Sequence, residues 1–126
     1  MKAILFVDDH EVLARLSCEI LEMHGYRAVS AYNGEDALAK FQQEDFDILV
    51  TDFRMEGMNG LELANKIREQ SPTTPVILVT GYGPIAGNKG ELPVLQKDSL
   101  FPELLEKIKI FIGEGRRDPQ NVAQAS

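Results

Sequence analysis

The sequence predicts an α/β domain built on a parallel sheet, and three observations predict it. Short apolar runs at 3–7, at 48–50 within a strand over 46–51, and at 75–79 show no polar alternation, so they read as strands buried on both faces. Stretches with apolar residues at helical spacing lie between them. The runs also deliver polar residues of a recurrent kind: Asp8-Asp9, Asp52 and Thr80.

The elements follow in order. Ala3-Ile4-Leu5-Phe6-Val7 is the first strand, and two acids end it. Residues 10–23 form a helix, with Val12, Leu13, Leu16, Ile20 and Met23 at helical period. Asp9 suits its N-cap and Gly25 its end. Residues 26–31 are a second, more polar strand, and Asn33-Gly34 is a turn. A helix over 35–43 turns Ala37, Leu38 and Phe41 to one face. The third strand, 46–51, delivers Asp52, and a loop rich in Gly and Met runs to Gly60. A helix over 61–69 has Leu61, Ala64 and Ile67 inward. The fourth strand, 75–79, ends at Thr80; a fifth, 93–96, ends at Lys97. The last helix, Leu100–Ile112, turns Leu104, Leu105, Ile108 and Phe111 inward. Pro102 fits its first turn, where N–H groups lack helical partners.

The pattern is βα repeated five times, with the fourth helix short or missing. Residues 81–93 contain Gly81, Gly83, Gly87 and Gly90, with Pro84 and Pro93. Each Gly costs a helix about 1 kcal/mol and each Pro about 3. A loop or at most one turn is expected there, entropically loose because of its glycines. The span still suffices for a parallel crossover. One domain over 1–112 is expected, followed by a disordered tail or linker stub over 113–126, where the apolar pattern stops.

Bulk properties narrow the function. The 126 residues suit one core, and 44% hydrophobic with 26% charged residues is ordinary for a soluble globular protein. The net charge of −7 repels nucleic-acid phosphates, so no direct nucleic-acid partner is expected. The single cysteine, Cys18, forms no internal disulfide and reads as a buried small hydrophobe. No secretory signal or membrane-length apolar run is present, which points to a cytoplasmic location.

In parallel α/β sheets the ligand site lies at the carboxyl ends of the strands. Those ends carry Asp8, Asp9, Asp52, Thr80 and Lys97. Three carboxylates at one crevice repel one another unless a hard cation joins them, and Mg²⁺ favours carboxylate oxygens and waters. A carboxylate beside Mg²⁺ can act as a nucleophile toward phosphorus. Thr80 can hydrogen-bond a phosphoryl oxygen, and Lys97 can pair with another. Taken singly, each residue has a plainer role: Asp9 as a cap, Asp52 as a loop acid, Thr80 as a strand end, Lys97 as a surface charge. Four strand ends each supplying what one reaction needs outweigh those roles together. His10 reads as a rim residue beside the acids.

Val7-Asp8-Asp9, the run Leu49-Val50-Thr51-Asp52-Phe53-Arg54-Met55, Gly57-Met58-Asn59-Gly60, Val79-Thr80-Gly81 and Lys97 together resemble the receiver domain of bacterial two-component response regulators. The resemblance covers about residues 2–112. It implies a flavodoxin-like three-layer sandwich of sheet order 2-1-3-4-5, the doubly wound order that receiver proteins share with flavodoxin. It implies Asp52 as phosphoacceptor, and a Mg²⁺ site of Asp8, Asp9, Asp52 and the Arg54 carbonyl. It makes Thr80 and Lys97 the phosphate-sensing pair. A sensor histidine kinase or phosphotransfer protein becomes the expected donor, for a monomer or weak dimer. The only chemistry implied is self-phosphorylation from a donor and autodephosphorylation.

Several positions depart from the family pattern. Asp98 stands where Pro usually follows the lysine, and a cis bond before a non-proline costs roughly 2.5–4 kcal/mol, so a trans bond is expected. Val94 stands where an aromatic residue often acts as a rotamer switch, and Glu56 where many members have Pro. The short 81–93 segment alters the face that family members use for partners. These departures sustain one alternative: a pseudo-receiver interaction module that does not switch by phosphorylation. An aspartate-nucleophile phosphatase fits poorly, because His10 and Phe53-Arg54 stand where its second acid is needed.

Overall fold

The computed structural model describes residues 1–81 and 83–114. Its strands are β1 (Ala3–Val7), β2 (Arg27–Ala31), β3 (Ile48–Asp52), β4 (Val76–Thr80) and β5 (Val94–Gln96). The helices are α1 (Glu11–Met23), α2 (Gly34–Gln43), α3 (Gly60–Gln70) and α4 (Leu100–Ile112). All strand pairs are parallel and the sheet order is β2-β1-β3-β4-β5, as expected.

Successive strand residues point to opposite faces, so each central strand feeds two cores. Leu5, Leu49 and Leu78 pack with Leu63 and Ile67 of α3 and Ala37 of α2. Ile4, Phe6, Ile48, Val50 and Ile77 pack with Leu21 of α1 and with Leu104 and Ile108 of α4. That double burial is why the central strands read as unbroken apolar runs.

Helix α1 forms where expected, but its large apolar residues do not mark its buried face. Its sheet-facing residues are Ala14, Ser17, Cys18 and Leu21, while Val12, Leu13, Leu16 and Met23 are exposed, Met23 at 82%. Small side chains let a helix lie close to a sheet, so the largest apolar residues were the wrong guide to the inner face. The cap differs too. His10 is the N-cap, accepting the Leu13 N–H on Nδ1 at 3.3 Å, and Asp9 is left out of the cap. In α4, Leu104 and Ile108 are buried and Leu105 is half-buried, but Phe111 is 43% exposed and does not face inward. Phe101 adopts extended backbone angles within α4, so the regular helix begins at Pro102, after a cis Phe101–Pro102 bond. The Lys97–Asp98 bond is trans, as expected from Asp98.

Between β4 and β5 the described residues form turns and no helix. The segment is not loose. Ile85 is 6% exposed and joins the core beneath α3. Asn88 is 5% exposed, and its side chain closes a two-bond ring with Leu92: Nδ2 donates to the Leu92 carbonyl and Oδ1 accepts the Leu92 N–H, each at 3.0 Å. Gly87, Lys89 and Gly90 take left-handed angles to close these turns. The chain thus replaces a helix with a plug.

At the far end, Gly113 is left-handed and donates its N–H to the Lys109 carbonyl, ending α4. The buried Tyr26 hydroxyl donates to the Gly113 carbonyl at 2.7 Å. The expected tail from 115 onward lies outside the described residues.

Candidate functional site

Register brings the strand ends level. Val7 pairs with Thr51, Asp52 with Val79, and Thr80 with Gln96. Asp8 therefore follows β1 beside Asp52, and Lys97 follows β5 beside Thr80. Asp8, Asp9 and Asp52 each place a carboxylate oxygen within 4.8 Å of the others. Lys97 Nζ lies 3.2 Å from Asp8 Oδ2 and 3.1 Å from Asp52 Oδ2. The Asp8 and Asp52 side chains are only 5% and 7% exposed. Asp9 is exposed on the rim.

Local structure fixes the orientation of the acids. Asp8 Oδ1 accepts the His10 N–H at 2.9 Å, which aims its other oxygen at Lys97. Asp9 Oδ2 accepts the Glu56 N–H at 3.4 Å and so ties the α1 entry to the loop after β3. Arg54, Glu56 and Asp9 line a shallow hollow on this side. Thr80 is buried at the end of β4. Of the residues expected from sequence, Asp8, Asp9, Asp52 and Lys97 are thus in one cluster. Thr80 stands at the next strand end and Arg54 on the rim.

The electrostatics follow from burial and charge. Burial raises the Asp52 pKa above its ordinary value; the Lys97 hydrogen bond opposes this and the Asp8 charge adds to it. For Lys97, burial pulls the pKa down, but the hydrogen bonds and charges of Asp52 and Asp8 outweigh it and the net shift is upward. The carboxylates repel one another, and Lys97 offsets only part of that. Three hard oxygen donors in such reach suit Mg²⁺, which takes a few carboxylates plus waters. Cys18 plays no part: burial pushes its thiol up to about 12.

Gly60, the last residue of the Gly57-Met58-Asn59-Gly60 motif, has a role that sequence alone did not show. A Cβ on Gly60 would lie 2.3 Å from the Asp52 carbonyl oxygen. The Gly60 N–H donates to the Phe53 carbonyl at 2.8 Å. Only glycine lets the start of α3 press against the backbone of Asp52. Asn59 then opens α3 with a capping box closed by Glu62.

Residues 4–109 match the family described as the response regulator receiver domain. The chain belongs to that family, the phosphorylation module of two-component signalling. It is 34% identical over 125 residues to response regulator ArlR of Staphylococcus aureus, covering 95% of this chain and 55% of that protein. The chain therefore spans about half the length of that curated relative. Among solved structures, response regulator TrrA of Thermotoga maritima, in complex with Mg²⁺ and BeF, is 36% identical with TM-score 0.78, covering 89% of this chain and 100% of that one. Chemotaxis protein CheY4 of Vibrio cholerae is 28% identical with TM-score 0.80, covering 89% and 99%. TrrA has also been solved in complex with the histidine kinase ThkA. The intact acidic cluster with Lys97 in contact goes against the pseudo-receiver alternative.

Proposed function

We propose that Asp52 is the phosphoacceptor, taking a phosphoryl group from a phosphohistidine of a sensor histidine kinase or phosphotransfer protein. The observation that carries this is the convergence of the Asp8, Asp9 and Asp52 oxygens within 4.8 Å, with Lys97 bridging Asp8 and Asp52. A carboxylate oxygen of Asp52 forms the new bond to phosphorus, the phosphorus–nitrogen bond of the donor breaks, and imidazole leaves. Asp8, Asp9, Asp52 and the Arg54 carbonyl would hold Mg²⁺. When bound, that ion offsets the carboxylate charge and the charge on the phosphoryl oxygens.

Lys97 moves from Asp52 to a phosphoryl oxygen, keeping Asp8 as its second partner. The Thr80 hydroxyl hydrogen-bonds another. Hydrolysis of the acyl phosphate by water resets the site. The donor's body must rest on surface around the crevice, and the exposed Leu13 and Leu16 of α1 are apolar ground there. The reaction belongs to the cytoplasm, where a kinase would meet this domain.

Acetyl phosphate with Mg²⁺ should add one phosphoryl group to the intact protein by mass. Asp52→Asn should add none, because an amide is not a nucleophile here. Labelling of that variant at the same stoichiometry would overturn the assignment.

A further inference from the structure

Beside the acidic crevice, and sharing Asp8, Asp52 and Lys97 with it, lies a cavity of about 270 Å³ whose apolar part the phosphoryl reading does not use. Leu13, Leu16 and Ile20 of α1 form one wall, Leu100 and Phe101 of α4 another, and Val79 the floor. Among the described residues, its only charged lining is Asp8, Asp52 and Lys97, at the strand ends. An apolar cavity of roughly 150 Å³ holds a benzene ring, so this one takes a ring with a short chain. The lining contributes two carboxylates against one ammonium, and Asp9, in oxygen reach of both acids, adds a third carboxylate. Three minus one leaves an excess of two negative charges at the strand-end side of the cavity. Asp8 and Asp52 are more than nine-tenths buried, so a charge meeting them is poorly screened by solvent.

From this shape and charge we propose that the cavity between α1 and α4 is a binding site for a free small arylalkyl amine, its ring between Leu16, Ile20 and Phe101 and its ammonium on Asp8 and Asp52. The ring gains from burial in proportion to its apolar area. The ammonium shares the two carboxylates with Lys97, whose Nζ lies 3.2 Å from Asp8 Oδ2 and 3.1 Å from Asp52 Oδ2, and the carboxylate excess gives both cations charge-assisted hydrogen bonds. The same carboxylates serve Mg²⁺ in the proposed function, so amine and Mg²⁺ each weaken the other's binding. Such an amine is then a brake on the metal-dependent state. A neutral or anionic ligand of the same shape lacks the head-group contact, and an anion meets the carboxylate excess.

The probe is 2-phenylethylamine, titrated into methyl-labelled, metal-free protein. The methyl signals of Leu13, Leu16, Ile20 and Leu100 should shift together, with a Kd on the order of 1 mM, ordinary for a ligand of this size. The neutral isostere 2-phenylethanol should bind at least about tenfold more weakly, as loss of a charged hydrogen bond predicts. Methylamine, which has no ring, should also bind at least about tenfold more weakly. Saturating Mg²⁺ should weaken the phenylethylamine. Ser17→Leu, facing the cavity from α1, and Ile20→Phe, at its rim, should each block binding; the second serves if the first does not fold. Equal binding of the alcohol, shifts confined to other residues, or unaltered binding by a folded filling variant would each overturn the site. No phosphodonor is present in this experiment, so its failure leaves the Asp52 assignment standing, and failure of Asp52 labelling leaves the amine site standing.

Discussion

At the ends of β1 and β3 the chain passes into capped regular helices; after β4 the described residues up to Pro93 form no helix. The two halves of the sheet's carboxyl edge are held by different means. Under Asp8 and Asp52, order comes from backbone closeness: Gly60 against the Asp52 carbonyl, and the Asn59 capping box. Under Thr80, it comes from one apolar side chain, Ile85, and one amide, Asn88. Substituting a helix by a plug keeps β5 and Lys97 in register with Thr80. It also discards the helical surface on that side. The residue cluster at the strand ends and the surface over this crossover are therefore separable. The crossover can be rebuilt as long as its two ends stay in the sheet.

The Asp52 side is the less forgiving of the two. Gly60→Ala forces a Cβ onto backbone that cannot swing away, and we expect a loss of about 3 kcal/mol in urea unfolding. A cost below about 1 kcal/mol would mean that α3 slides off the Asp52 backbone easily. On the Thr80 side, Ile85→Ala should cost about 2 kcal/mol, the low end for a buried large-to-small change, because the loop can partly collapse. A loose surface loop would lose less than about 0.5 kcal/mol, and that result would return the segment to the mobile loop its glycines suggested.

Much of this was legible in sequence, and for definite reasons. Strands buried on both faces announce themselves as apolar runs, and parallel strands present their ends to one crevice. Asp8, Asp9, Asp52 and Lys97 were therefore readable before any geometry. What stayed hidden was hidden by side-chain size and by long-range contact. The inner face of α1 consists largely of small residues, and the cap fell to His10 because Asp8 and Asp9 are engaged elsewhere. Glycine count gave the missing helix correctly but not the anchoring, since nothing local marks Ile85 as core or pairs Asn88 with Leu92.

A smaller effect reads the charge on the Asp52 side. The Asp52 pKa is raised in the fold from its ordinary value of 3.8, so the folded state holds more protons than the unfolded chain just above that pH. This group's contribution to stability is therefore fully present below the unfolded pKa and is lost as pH rises through the folded pKa. Without metal, Asp52→Asn removes that loss. We expect its melting temperature near neutral pH to exceed the wild type's, with the gap closing as the pH falls toward the ordinary carboxylate value of 3.8. Mg²⁺ should narrow or reverse the gap, since the ion binds the three-carboxylate site of the wild type more tightly than a variant that keeps only Asp8 and Asp9. A variant less stable than wild type in chelator would mean that the Lys97 pairing outweighs burial.

The smallest expected effect on stability lies on the outer face of α1, and it separates folding from docking. Leu16 is half exposed and stands beside the crevice that holds Asp52. Leu16→Ser removes apolar surface of which folding buries only about half, so unfolding should change by no more than about 1 kcal/mol. The phosphoryl acceptance of the isolated protein should be unchanged, because acetyl phosphate needs no docking surface. Transfer from a phosphorylated kinase should instead slow by about tenfold, the effect of losing one well-packed apolar contact of roughly 1.4 kcal/mol in an interface. The measurement is the ratio of the two labelling rates in Leu16→Ser and wild type. A ratio that stays constant would remove α1 from the donor's footprint and leave its exposed apolar row to the cavity alone.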